Sequence, residues 1–306
     1  MEPRRDAQAP EIPGSGTAAV PGPRPDRLLD SRTAAVSAGV LLAVPVFGWF
    51  AWWAPEERRS LHLEPEGWFG RTTYAGGADK ASHFVTAAIL EDGAEAIYRA
   101  LGKDERQSRI LGVALVSASG LLIEMGDGIT PYGFSWEDAA TNVLGALTAA
   151  ELKRAGLDDT IGFRVGHVGY EIPEPCCRSN GFGADYSKWV HSADLKLKGF
   201  LPRIGVKPGP ARFLLVSLTY GSKGYRFSPV DARERNVGID LGLNVEEILR
   251  VAGVPPGKWW GKALLAFARY YRIPWTAFGW RYDLNSGRWH GPDTGNVFDP
   301  GAVLYD

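Results

Sequence analysis

The sequence predicts an α+β protein: an N-terminal transmembrane anchor, a small Gly/Ala-rich three-helix bundle, then an antiparallel β-rich domain with two short helices. Three observations predict it. Residues 33–54 carry no charge. Between residues 79 and 152, apolar side chains recur at spacings of three and four, the period of a helix face. Beyond residue 185 the repeat shortens to two, the period of a half-buried strand. The chain divides accordingly into a disordered tail (1–32), the anchor (33–54), a linker (55–78), the helical domain (79–154), a second linker (155–185) and the β-rich domain (186–306).

The tail is rich in Pro, Gly, Ala, Arg and Asp and lacks an apolar period, so it cannot bury enough surface to fold. The anchor segment, TAAVSAGVLLAVPVFGWFAWWA, spans about 33 Å as a helix, enough for a hydrocarbon core of about 30 Å. Trp49, Trp52 and Trp53 gather at one end, where an interfacial belt would lie. Arg24, Arg27 and Arg32 on one side balance Arg58, Arg59 and Arg71 on the other, so loop charge leaves orientation nearly unspecified. Arg4 and Arg5 tilt it toward a cytoplasmic N-terminus.

The first bundle helix should run from Asp79 to Leu101, with Ala87, Leu90, Ala94, Ile97 and Leu101 on its core face and Glu91, Asp92, Glu95 and Arg99 off it. The second runs from Ser108 to Met125; its uncharged stretch, Ile110–Ile123, is short for a membrane span and reads as a core helix. The third runs from Ser135 to Leu152, with Ala139, Ala140, Gly145, Ala146 and Ala149 allowing close helix approach. In the last domain, His191–Gly199, Arg212–Tyr220, Asn236–Leu243 and Trp275–Leu284 read as strands. Asn244 should cap a short helix with Glu247 as its capping-box partner, and Gly253 closes it. A second helix, Lys258–Tyr271, follows Pro255 and Pro256. Trp189, Trp259, Trp260, Trp275, Trp280 and Trp289, six of the eleven tryptophans, lie in this half. Core packing or a face toward lipid or a protein partner would account for them.

Composition bounds the function. Lys and Arg number 34 against 35 Asp and Glu, a formal net charge of −1, which argues against a nucleic-acid partner. The two cysteines are adjacent, Cys176 and Cys177, so neither a disulfide framework nor a Cys-rich zinc module is expected. P-loop, G-x-G-x-x-G and H-E-x-x-H patterns are missing, and no cofactor is expected.

The residues able to carry chemistry sit at helix ends. Asp79, Lys80 and His83 open the first helix, Glu124 closes the second with Asp127 in the following loop, and Asp138 and Asn142 open the third. An up-down-up bundle with short loops brings those three ends together. Four carboxylates would then face one Lys and one His, and their repulsion should raise at least one pKa. Three readings stay open: a buried structural network, a general acid/base site, or a divalent-metal site built from His83, Glu124 and Asp138. No Ser or Cys stands beside an obvious base.

The run Asp79-Lys80-Ala81-Ser82-His83-Phe84, followed by Glu124-Met125-Gly126-Asp127 and by Gly133-Phe134-Ser135-Trp136-Glu137-Asp138, resembles the YfiM-like family of periplasmic lipoproteins of unknown function. The same D-K-x-x-H-F opening and S-x-x-D helix resemble, more distantly, VanZ-like membrane proteins. The resemblance covers residues 78–152; Leu214–Gly224 and Arg233–Leu243 are also similar to sheet segments of longer YfiM-like members. It implies an envelope protein with a helical core and no established reaction. The lipobox cysteine of a lipoprotein is missing near the N-terminus, and segment 33–54 would replace it. Glu91, Asp92 and Glu95 interrupt what would be a membrane helix in the VanZ-like pattern. The expectation is therefore a single-pass bacterial inner-membrane protein with most of the chain in the periplasm, in a structural, accessory or lipid- or partner-binding role. The alternative is an envelope hydrolase or transferase acting on a lipid or glycan through His83, Glu124 and Asp138.

Overall fold

The structure, a computed structural model, describes residues 28–167, 186, 189–225 and 230–293. Cys176, Cys177, most of the expected tail and residues 168–185 of the expected second linker lie outside the described residues.

Helix α1 covers Ser31–Gly48 and continues through a π-helical turn, Trp49–Trp53. Asp30 starts it by accepting the Thr33 N–H. Helices α2 (Ala78–Ala100), α3 (Glu105–Asp127) and α4 (Trp136–Arg154) form the bundle. The second helix begins a turn before its apolar period does, because Asp104 and Gln107 close a capping box ahead of it. Ser135 caps α4 by accepting the Asp138 N–H at 3.2 Å, as its S-x-x-D signature suggests. Small residues set the helix spacing: a Cβ on Gly145 would stand 2.2 Å from the Phe84 carbonyl oxygen, so α2 and α4 meet backbone to backbone.

The rotation of α2 differs from the expected one. Ala87 and Ala94 are buried, but Leu90 is 53% exposed and Ile97 also faces outward. Glu91 and Glu95 point inward, where Lys153 of α4 lies 3.2 Å and 3.0 Å from them and 2.6 Å from Asp92. An ion-paired patch between close-packed helices stands beside the aliphatic core, to which Ala87, Ala94 and Leu101 of the expected stripe still contribute. Trp53, expected in an interfacial belt, is likewise buried: its indole donates to Asp127 at 2.6 Å.

The remaining strands form one antiparallel sheet in sequence order, β1 (Ile161–His167), β2 (Trp189–Lys196), β3 (Leu214–Lys223), β4 (Glu234–Leu243), β5 (Ala277–Asp283) and β6 (Arg288–Asp293). Strand β1 occupies a stretch expected as linker, and β6 was not foreseen. Three α-helices accompany the described part of the sheet rather than two: α5 (Leu197–Arg203), α6 (Val245–Val251) and α7 (Trp259–Tyr270). The alternating run expected to continue as strand to Gly199 turns into α5 after Lys196. Asn244 caps α6 through the Glu247 N–H, but the Glu247 carboxylate pairs with Lys198 and Arg212 instead of completing a capping box.

The sheet attaches to the bundle along α2. Phe163 meets Phe84 edge-on with ring centroids 5.2 Å apart, and the Tyr220 hydroxyl donates to Gly76 O at 2.5 Å. Past α7 the Arg272 N–H donates to Val165 O at 2.9 Å, closing the chain onto the free edge of β1. Polar side chains fill the enclosed face: Arg164 with Asp194 and Ser217, and Arg272 and Arg281 with Asp240. Val216, Leu218, Ile239, Leu241, Phe278 and Trp280 point outward and are exposed.

Candidate functional site

Three helix ends converge as the loop lengths require. Thr73–Gly77 prepares the site: Ala75, Gly76 and Gly77 take positive φ in succession (45°, 62° and 87°), reversing the chain into α2. Lys80 follows on the first turn of α2, with an exposure of 0%. Its ammonium lies 2.6 Å from Asp79 Oδ2 and 2.9 Å from Asp138 Oδ1 of α4, and it pairs with Glu66 as well. Three donors thus meet three carboxylates from three parts of the chain.

His83 sits one turn farther along α2, its side chain 21% exposed. Its Nδ1 is 3.3 Å from Asn142 Oδ1 and 4.0 Å from Glu124 Oε1, and its Nε2 is 3.9 Å from Asp138 Oδ1. Glu124 Oε2 accepts the Ser135 N–H at 3.4 Å, whereas Oε1 is buried with no hydrogen-bond partner among the described residues. Of the expected group, Asp79, Lys80, His83, Glu124, Asp138 and Asn142 come together. Asp127 closes α3 instead of standing in the loop; it accepts the Trp53 indole N–H and still lies close enough to Glu124, His83 and Asp138 to interact with them by charge.

Glu66 is the member that sequence reasoning missed. It lies in the stretch expected as linker, outside any periodic segment, and the chain must fold back over α2 to deliver it. The same fold-back seats the Gly67 N–H on the Glu137 carboxylate at 3.0 Å. Burial, reinforced by the charge of Asp138, pushes the Glu66 carboxyl up to about 9. Burial without a full counter-charge explains the shift: one ammonium cannot neutralise three buried carboxylates, so one of them keeps its proton. On the sheet side, burial and the neighbouring His83 push His191 down to about 4, so it is neutral at pH 7.

Two groups have ligand atoms close enough for a cation. Those of His83, Glu124 and Asp138 lie within 4.8 Å of one another, as do those of Glu66, Asp79 and Asp138. In the second, the Lys80 ammonium already supplies the positive charge.

Residues 65–154 match the family described as predicted periplasmic lipoprotein (DUF2279). That stretch contains the whole cluster from Glu66 to Asn142. No curated protein and no solved structure matches the chain. The family description and the N-terminal apolar helix agree on a location in the cell envelope.

Proposed function

We propose that this is a membrane-held envelope protein with a structural or accessory role, and that its polar cluster locks the fold rather than performing a reaction. The observation that carries the reading is the fully buried Lys80, its ammonium engaged by carboxylates of Glu66, Asp79 and Asp138. A buried charge matched in this way fixes the mutual alignment of three segments that small side chains would otherwise leave free to slide. Helix α1 supports the membrane attachment: it is long and apolar enough to cross a bilayer.

A second reading, an envelope hydrolase or transferase using His83, Glu124 and Asp138 in acid–base or metal chemistry, draws on a separate observation. Glu124 Oε1 is buried without a hydrogen-bond partner among the described residues, and His83 beside it keeps some exposure. Such a pair is suited to holding a cation or exchanging a proton.

Thermal melts of the full chain in detergent, with and without EDTA, separate the two. In the structural reading Lys80→Met costs about 3–5 kcal/mol, the range for stranding the partners of a buried ion pair. His83→Ala also lowers the melting temperature there, and EDTA leaves every melt unchanged. An unchanged melt for His83→Ala would overturn the lock and favour an acid–base role. A melting temperature lowered by EDTA, with stoichiometric bound metal, would favour the cation site.

A further inference from the structure

Helix α1 does not stand apart from the rest of the chain, as a simple tether would. It lies along the bundle and is tied to it throughout. Asp30 pairs with Lys103 at 2.8 Å at one end. Ser37 Oγ is 2.7 Å from the Tyr98 hydroxyl farther along, and Trp53 bonds Asp127 at the other end. Whatever depth α1 takes in a membrane, α2 and α3 therefore share it.

The dimensions suit that placement. Helices α2 and α3 have 23 residues each and α4 has 19. At 1.5 Å per residue they extend about 28–35 Å, against a hydrocarbon core of about 30 Å. Charge is distributed in the same way. Among the described residues, no Asp, Glu, Lys or Arg is exposed between residues 81 and 98, 110 and 125, or 136 and 150. Exposed charges resume at the ends, with Arg99, Arg106 and Arg154. Within the uncharged bands Leu90, Ile97, Leu121, Met125, Leu144 and Leu147 face outward, while Glu91, Glu95, Glu124 and Asp138 face inward. A bundle surrounded by water carries charge on its outer face; this one keeps an apolar core, with Ala87, Leu111, Leu115 and Val116 buried, but its outer face across these bands has no exposed charge among the described residues.

We propose that α2, α3 and α4 lie in the lipid bilayer beside α1, forming a four-helix membrane unit whose polar cluster is an intramembrane site. The proposal rests on the reading of α1 as a membrane helix, and it replaces a single-pass anchor carrying a water-exposed body. Lipid is the occupant rather than a protein, because outward sides of separate helices point in different directions. One docked partner covers one side, whereas a bilayer covers them all. The sheet packed on α2 shows the same inversion, charged within and apolar without. The acidic residues of α2 are no obstacle: Glu91, Asp92 and Glu95 gather on Lys153 inside the bundle, with the Tyr270 hydroxyl also donating to Asp92, the arrangement in which membrane segments hold ionisable groups.

The test uses the full chain with Cys176 and Cys177 replaced by Ser, reconstituted in phosphatidylcholine vesicles containing one-quarter phosphatidylglycerol. Single cysteines at Val46, Leu121 and Leu147, which are 58%, 45% and 43% exposed, carry a polarity-sensitive fluorophore. The expected result is the same for all three: blue-shifted emission, loss of intensity with chain-doxyl phosphatidylcholine, and none with aqueous iodide. If Val46 behaves so while Leu121 and Leu147 lose intensity to iodide, the proposal is overturned and α1 remains a membrane helix. If Val46 itself loses intensity to iodide, the reading of α1 falls and the proposal with it. Labels at Leu121 and Leu147 shielded from both quenchers would mean that a protein covers these faces, which also overturns it.

Discussion

Glu66 shows how much of this protein's chemistry depends on one residue arriving from a distance. Alone in water its carboxyl would titrate near the ordinary carboxylate range. Buried beside Asp138 and Lys80, it titrates at about 9. The folded state therefore binds its proton more tightly than the unfolded chain does. The resulting stabilisation is complete below the ordinary carboxylate pKa and is lost as pH rises through about 9. Melting temperatures of the full chain should accordingly fall between pH about 5 and about 9. Glu66→Gln, which stays neutral, should make that slope shallower. An identical slope in the variant would show that Glu66 is ionised throughout.

At the scale of elements, α2 and α4 pack so closely that a methyl group is decisive. Gly145 stands against the Phe84 carbonyl with no room for a Cβ. Gly145→Ala must push the two helices apart, and overpacking of that kind costs about 1–3 kcal/mol. The separation would also lengthen the Lys80–Asp138 contact, which bridges the same two helices. Equilibrium unfolding of the variant would check the loss; wild-type stability would mean that α4 can rotate away without cost. The Ser135 cap and the Asp104–Gln107 capping box, by contrast, are local devices that fix where helices begin whatever packs against them.

In both the helices and the sheet, charged side chains are buried and large apolar ones exposed, while the bundle keeps an aliphatic core of Ala87, Ala94, Leu111, Leu115, Val116 and Ala146 beside its charges. Asp240 is the pivot in the sheet. It is buried between Arg272, exposure 0%, and Arg281, whose guanidinium lies 3.2 Å away. Asp240→Asn would remove the carboxylate that these two guanidinium groups share. The expected loss is about 3–5 kcal/mol, read as a lowered unfolding midpoint. An unchanged midpoint would mean that water reaches the enclosed face of the sheet and screens it.

The three bundle helices, the Ser135 cap and the meeting of Asp79, Lys80, His83, Glu124, Asp138 and Asn142 were legible in the sequence by itself, whereas the capping box that starts α3 at Asp104 was not. Each follows from local rules: a 3.6-residue period, a cap beside it and loops too short to do anything but reverse. The change to strands in the second half was legible for the same reason, as a change of period. The tertiary structure alone decided the rest. Glu66 joins the cluster because a non-periodic segment folds back, and β1 and β6 form because neighbouring strands offer free edges. Above all, periodicity separates a polar face from an apolar one without stating which is the inside. Leu90 and Ile97 look like core residues and Glu91 and Glu95 like surface, until the packed neighbours reverse them. Burial belongs to what surrounds a side chain, and for this chain Lys153, Lys80 and the closely packed glycine and alanine faces turned the charges inward.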